Sequence, residues 1–231
     1  MPDPDAVNSL FSRIAGRYDL ANRLLSGGVD VFWRRRLVAL VGKGRPADIL
    51  DLATGSGDLA FALCRGLPGA RVTGADFCEP MLERARAKQA AAAPRFDAVR
   101  FERADAMRLP FPEASFDAVT IAFGLRNLAD RPAALAGFRR VLRPGGCLCV
   151  LEFSQPRAFF RPFYYFYLKR VLPRLAAFVT GDRGAYEYLA GSIEGYPGHE
   201  GIRAELAGAG FRDVRVSRPT FGVVAIHQAW R

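Results

Sequence analysis

The sequence predicts an α/β fold, a doubly wound and mostly parallel sheet whose last strands pair antiparallel. Three observations predict it. Strand-patterned and helix-patterned segments alternate from Asp48 to Phe153, and such alternation builds a parallel sheet with crossover helices. A glycine-rich turn, Gly55-Ser56-Gly57, follows the first strand, at the carboxyl edge where open sheets bind ligands. The fifth strand, Cys147 to Phe153, is apolar almost without break up to Glu152, as a strand covered on both faces must be.

Residues 1–45 read as a helical cap, with short helices over Ser9–Ala15 and Tyr18–Leu25. Gly27-Gly28 breaks the pattern, and Val31 to Val41 is amphipathic. Asp48 to Ala53 is a buried strand and Asp58 to Arg65 its helix. Arg71 to Ala75 is the second strand, followed by a helix from Pro80 to about Ala92, with proline suited to its first turn. Ala98–Phe101 and Phe116–Ala122 are the third and fourth strands. Arg131 to Leu142 is a helix, and Arg143-Pro144-Gly145-Gly146 a turn before the fifth strand. Residues 156–181 break the rhythm as an aromatic and basic insertion. Helices follow over Tyr186–Ile193 and Glu200–Ala209, then strands over Val214–Ser217 and Gly222–Ala229. The connection between those strands has no room for a helix, so they pair antiparallel.

The 231 residues suit a single domain. No stretch reaches the ~18–20 apolar residues of a membrane span. The start, Met1-Pro2-Asp3-Pro4-Asp5, lacks the basic and then apolar run of a signal peptide, so a cytoplasmic location is expected. The four cysteines form no C-x-x-C pair and lie far in sequence from both histidines, which argues against a metal site or disulfide framework. The net charge of +10 points to an anionic partner, although its heavy skew to Arg over Lys also fits a bias of genome composition.

The stretch from Asp51 to Asp58 lies between the first strand and its helix. Gly55 and Gly57 permit a tight turn and a close ligand approach. Asp76 follows about 20 residues later at the second strand's end, where a carboxylate can accept both hydroxyls of a ribose. Met81 is placed to lie against an adenine face. Asp105 and Ala106 follow the third strand, one to accept from the adenine amino group and the other to offer a backbone N–H. A nicotinamide dinucleotide would use the same glycines and Asp76. Asp51, four residues before Gly55, instead sets a carboxylate near the loop, where a dinucleotide has no cation to match. That favours S-adenosylmethionine.

Ala122-Phe123-Gly124-Leu125-Arg126-Asn127 ends the fourth strand. No Asn/Asp-Pro-Pro-aromatic motif for base amino groups and no Pro-Cys pair for base carbons stands here, so nucleic acid is excluded as substrate. Arg126 and Asn127 fall where an acceptor meets the methyl group. A permanently cationic Arg126 can stabilise a developing oxyanion or pair with a structural acid; the sequence leaves both open. Asn127 can orient the acceptor hydroxyl or a water.

The chain resembles the ubiquinone/menaquinone biosynthesis C-methyltransferase family along nearly its whole length. The resemblance rests on Phe11-Ser12-Arg13-Ile14-Ala15 with Tyr18-Asp19 and Asn22, and on Asp51 to Asp58. It continues through Leu109-Pro110-Phe111-Pro112 and Ser115 to Asn127. Glu152-Phe153-Ser154, Tyr188-Leu189 with Ser192-Ile193, and the ending Gly222-Val223-Val224-Ala225-Ile226-His227 complete it. The resemblance implies a class I methyltransferase sheet of Rossmann type, with the amino-terminal helical cap and a helical insertion after the fifth strand. It implies methylation of a ring carbon of a polyprenylated quinol, with a benzene or a naphthalene ring. Donor contacts carry over to Ser56, Asp76, Asp105 and Ala106, and to Ala122, where relatives carry Ser. Tyr18 and Asn22 are expected to close over the acceptor or to pack the cap. Another small-molecule methyltransferase, or a donor-binding subunit without turnover, are the alternatives. A homodimer and peripheral contact with the inner face of a membrane are further expectations. For the latter, seven aromatic residues between Phe159 and Tyr167 are flanked by Arg157, Arg161, Lys169, Arg170 and Arg174, with no acid from Pro156 to Gly181.

Overall fold

The computed structural model describes residues 26–174 and 183–231, together with Ser9, Ser12, Asp19 and Arg23. Most of the two expected amino-terminal helices, including Tyr18 and Asn22, lie outside the described residues, as do positions 175–182, which take in the end of the insertion.

Helix α1 (Val29–Val41) buries Trp33, Leu37, Val38 and Val41 on one face, the spacing of an amphipathic helix laid on a sheet. Then come β1 (Asp48–Leu52), α2 (Asp58–Gly66), β2 (Arg71–Asp76), α3 (Glu79–Ala91) and β3 (Val99–Arg103). The chain continues as β4 (Phe116–Ala122), α4 (Arg131–Val141) and β5 (Leu142–Phe153). The insertion carries α5 (Arg161–Phe166), and α6 (Arg183–Glu194), α7 (His199–Gly208), β6 (Arg212–Ser217) and β7 (Val224–Trp230) complete the chain.

The seven strands form one sheet in the order β3-β2-β1-β4-β5-β7-β6. The pairs β1–β2, β1–β4, β2–β3 and β4–β5 are parallel. Strand β7 runs antiparallel to both β5 and β6. Apolar side chains fill both faces. Ile49, Val72 and Leu151 join the core under α1 and α2, while Leu50, Val119 and Val150 join the one under α4 and α7. The strand order reverses between β1 and β4, which opens a crevice at their carboxyl ends.

One element differs from the sequence reading. The turn Arg143–Gly146 lies inside β5, because the register against β4 jumps from Phe116↔Leu142 to Ala118↔Cys147. The extra residues bulge out at Gly145, whose φ is 77°. Asp117 secures this corner, accepting from the Ala47 and Asp48 amides at 2.9 Å and from Arg143 at 2.7 Å. In the insertion, α5 widens into a π turn over Tyr167–Val171. Its wider spacing puts Tyr164, Leu168 and Leu172 into the core and leaves Tyr167 and Val171 half-buried. Among the described residues, no helix is long and apolar enough to cross a membrane.

Candidate active site

A cavity of about 1050 Å³, counting its open mouth, lies at the carboxyl ends of β1, β2 and β4. Gly57 makes the turn beneath it possible: its φ is 84°, and a Cβ there would stand 2.8 Å from the rings of Phe61 and Phe101. Across the crevice, a Cβ on Gly124 would stand 2.5 Å from that of Ala53. Ala53 and Phe123, just beyond β1 and β4, both carry left-handed backbone (φ 49° and 59°). Non-glycine residues rarely adopt it, and it tends to gather at functional sites.

Of the residues singled out from sequence, Gly55, Asp76, Met81, Asp105, Ala106, Ala122 and Asn127 line this cavity. Asp76 accepts from the Gly55 amide at 2.7 Å and from the Cys78 amide at 2.9 Å. Burial pushes its carboxyl above the usual carboxylate range, and these amides oppose the rise. Asp105 is oriented by the Met107 amide at 2.8 Å. The two carboxylates sit among Ala53, Met81, Ala104 and Ala106. That donor set fits a nucleoside: hydroxyl and amino hydrogens for the acids, and apolar walls for a flat ring.

Asp51, Ser56, Gly57 and Arg126 do not line the cavity. Asp51 lies beneath the turn, accepting from the hydroxyls of Thr54 at 2.6 Å and Thr120 at 2.7 Å. Burial pushes its carboxyl up to about 6, against the pull of those hydroxyls. The Ser56 hydroxyl donates to Asp19 in a short hydrogen bond, on the outer side of the turn.

At the end of β4, Arg126 is buried and paired with Glu152. Its Nη1 stands 2.8 Å from Glu152 Oε1, and its backbone amide donates to Oε2 at 3.2 Å. Nη1 also donates to the Phe123 carbonyl at 2.5 Å. The guanidinium also meets Ser192 Oγ at 3.3 Å and lies over the Phe153 ring. This is the pairing with a structural acid that the sequence left open beside the oxyanion role. Asn127, the next residue, reaches the cavity and accepts from the Tyr188 hydroxyl at 3.3 Å. Sequence reasoning missed Asp19, Lys88, Glu152 and Tyr188 as partners, because each acts across a long separation.

The strand order, the antiparallel β7, the glycine turn and the acids after β2 and β3 define a class I methyltransferase. Solved structures share the fold. Human N-acetylserotonin methyltransferase in complex with SAM superposes with a TM-score of 0.68 at 19% identity, over 100% of this chain and 60% of that one. A putative methyltransferase from Haloferax volcanii, solved with its activator, gives 0.65 at 19%, over 95% and 96%. Residues 3–231 match the ubiE/COQ5 methyltransferase family, and the chain belongs to it. A demethylmenaquinone methyltransferase of Thermus thermophilus is 54% identical over 94% of this chain and 98% of its own length. A protein of the same name from Deinococcus radiodurans is 45% identical, over 96% and 90%. The ubiquinone/menaquinone biosynthesis C-methyltransferase UbiE of Paracoccus denitrificans is 42% identical, over 97% and 90%.

Proposed function

We propose that this chain transfers a methyl group from S-adenosylmethionine to a ring carbon of a polyprenylated quinol, converting a demethylmenaquinol to a menaquinol. The similarity to the Thermus thermophilus protein, 54% over nearly both full lengths, carries the reading. The Deinococcus radiodurans protein bears the same name, which favours a naphthalene ring.

Asp76 and Asp105 hold the ribose and adenine of the donor, with Met81 and Ala106 against the base. Ala122 forms wall without adding a polar contact. Gly55 lets the backbone approach, while Gly57, Ser56 and Asp51 hold the turn from beneath and outside. S-adenosylmethionine supplies the electrophilic methyl group. A ring carbon is a weak nucleophile until the neighbouring hydroxyl loses its proton and pushes an electron pair into the ring. With the donor held by Asp76 and Asp105, that carbon would bond to the methyl group as the methyl–sulfur bond broke. Loss of the ring proton restores the aromatic system. The chain's task is alignment, with the two reacting carbons at about 3–3.5 Å, and stabilisation of the phenolate. Asn127 is the group placed for the second task. Its Oδ1 is taken by Tyr188, which leaves the amide nitrogen, a donor, for the acceptor hydroxyl. Arg126 acts behind it, holding the 123–127 turn through Glu152. Tyr18 and Asn22 remain assigned to the acceptor on the strength of the resemblance alone.

A prenylated acceptor resides in lipid, and the enzyme reaches it as a peripheral protein at the inner face of the membrane. Exposed Phe159, Phe163 and Phe166, with Arg157, Arg161 and Arg170 around them, support this. Turnover with the acceptor presented in reduced and oxidised form tests the reaction. Methylation of the quinol alone is expected, because only the quinol has a hydroxyl to ionise. Equal turnover of the quinone would contradict the mechanism.

A further inference from the structure

On the outer side of the glycine turn lies a polar cluster that methyl transfer does not use. Asp19, from the amino-terminal cap, accepts from the Ser56 hydroxyl, from Arg84 Nε at 3.0 Å and from Lys88 Nζ at 3.1 Å. Lys88 also reaches Ser56 Oγ at 3.2 Å and Asp58 Oδ1 at 2.7 Å. Burial pushes the Asp19 carboxyl up, but the Ser56 hydroxyl and the two cations outweigh it and hold it below the usual carboxylate range.

The two sides of this cluster are the two sides of the cavity. Ser56 follows Gly55, whose amide is held by Asp76 on the cavity side. Arg84 and Lys88 share with Met81 one face of α3, at the i, i+3 and i+7 spacing. Met81 faces Gly55 across the cleft: a Cβ on Gly55 would lie 3.2 Å from Met81 Cε. We infer that Asp19 is a positioning residue for the methyl donor, clamping Ser56 of the glycine turn to Arg84 and Lys88 of α3 and so fixing the cleft between Gly55 and Met81. The inference rests on the cavity being the donor site.

Asp19 does not line the cavity, so its effect passes through Ser56 and α3. Two of its partners are full charges, so it holds them more firmly than a neutral group would. An isosteric amide keeps an acceptor for the Ser56 hydroxyl but loses the charge that gathers Arg84 and Lys88.

Calorimetric titration of the full chain with S-adenosylhomocysteine tests this, at a temperature where circular dichroism reports every variant folded. Asp19→Ala should weaken binding by about tenfold, and Asp19→Asn by about threefold. Ser56→Ala combined with Asp19→Ala should cost less than the product of the two single effects, because both remove one clamp. Wild-type affinity in both Asp19 variants would overturn the inference, whatever happens to their melting temperatures. Should Asp19→Ala not fold, Asp19→Asn carries the same test. A wild-type chain that binds no S-adenosylhomocysteine would instead overturn the donor-site reading beneath it.

Discussion

Asp51 shows how one buried side chain can tie stability to pH. Its carboxyl titrates near 6 when folded, against an ordinary value of 3.8. A raised carboxylate favours the native state while both states are protonated, below about 3.8. That favour is lost as pH rises through about 6. Over this window the loss is about 3 kcal/mol. The unfolding free energy of the wild type, less that of Asp51→Asn, should fall by about that amount between about pH 4 and pH 7. Urea titrations across the range measure it, and a flat difference would mean that Asp51 ionises freely. Asp76 makes a different contribution, since it faces the cavity. Asp76→Ala should weaken S-adenosylhomocysteine binding by tenfold or more, at ~1.5–3 kcal/mol per hydrogen bond to a charged group. Unchanged affinity by calorimetry would remove Asp76 from the site.

The turn after β4 carries the sharpest contrast between sequence and structure. Strands and helices around the glycine turn are legible because apolar runs of strand length alternate with helical periodicity. Asp76 and Asp105 are legible because each stands at a strand's carboxyl end, which is an edge of the sheet. The setting of Asp51 is harder to read. It lies inside β1, so its side chain meets Thr54 and Thr120 among the layers instead of opening over the edge. The Arg126–Glu152 pair is not legible at all without strand order. Once β4 pairs with β5 through Ala122↔Leu151, the residues just past β4 necessarily meet Glu152. A buried ion pair is costly to break on one side, by about 3–5 kcal/mol, because the partner charge is stranded. Arg126→Met should therefore lower the unfolding free energy by that order, and Glu152→Gln added to it should restore most of the loss. If Arg126→Met keeps wild-type stability in urea, the pair is not what holds the turn.

At the scale of the whole molecule, the insertion and the β6–β7 connection meet in one aromatic surface that no local pattern predicts. Phe159, Phe163, Phe166 and Phe221 are 61%, 71%, 65% and 52% exposed. Phe221 packs at 5.6 Å from Phe159 and 5.1 Å from Phe160. Arg157, Arg161, Arg170 and Arg174 are exposed nearby in the chain, on a protein of net charge +10. Such a surface suits an anionic bilayer, each basic residue adding about 1 kcal/mol near anionic lipid. Flotation should recover more protein on anionic than on neutral vesicles. Replacing Phe163 and Phe166 with Ser should reduce both, at roughly 2 kcal/mol for each side chain withdrawn from the lipid interface. Equal recovery on both vesicle types would argue against an electrostatic surface role. Carbon methylation of a quinol is the reaction that the similarity to the family and to its demethylmenaquinone methyltransferases supports. The most direct measurement is product NMR after incubating the chain with a demethylmenaquinol and S-adenosylmethionine carrying a ¹³C-labelled methyl group. The label is predicted on a ring carbon, with both hydroxyls of the product free; a label on oxygen, or no transfer at all, would contradict the account.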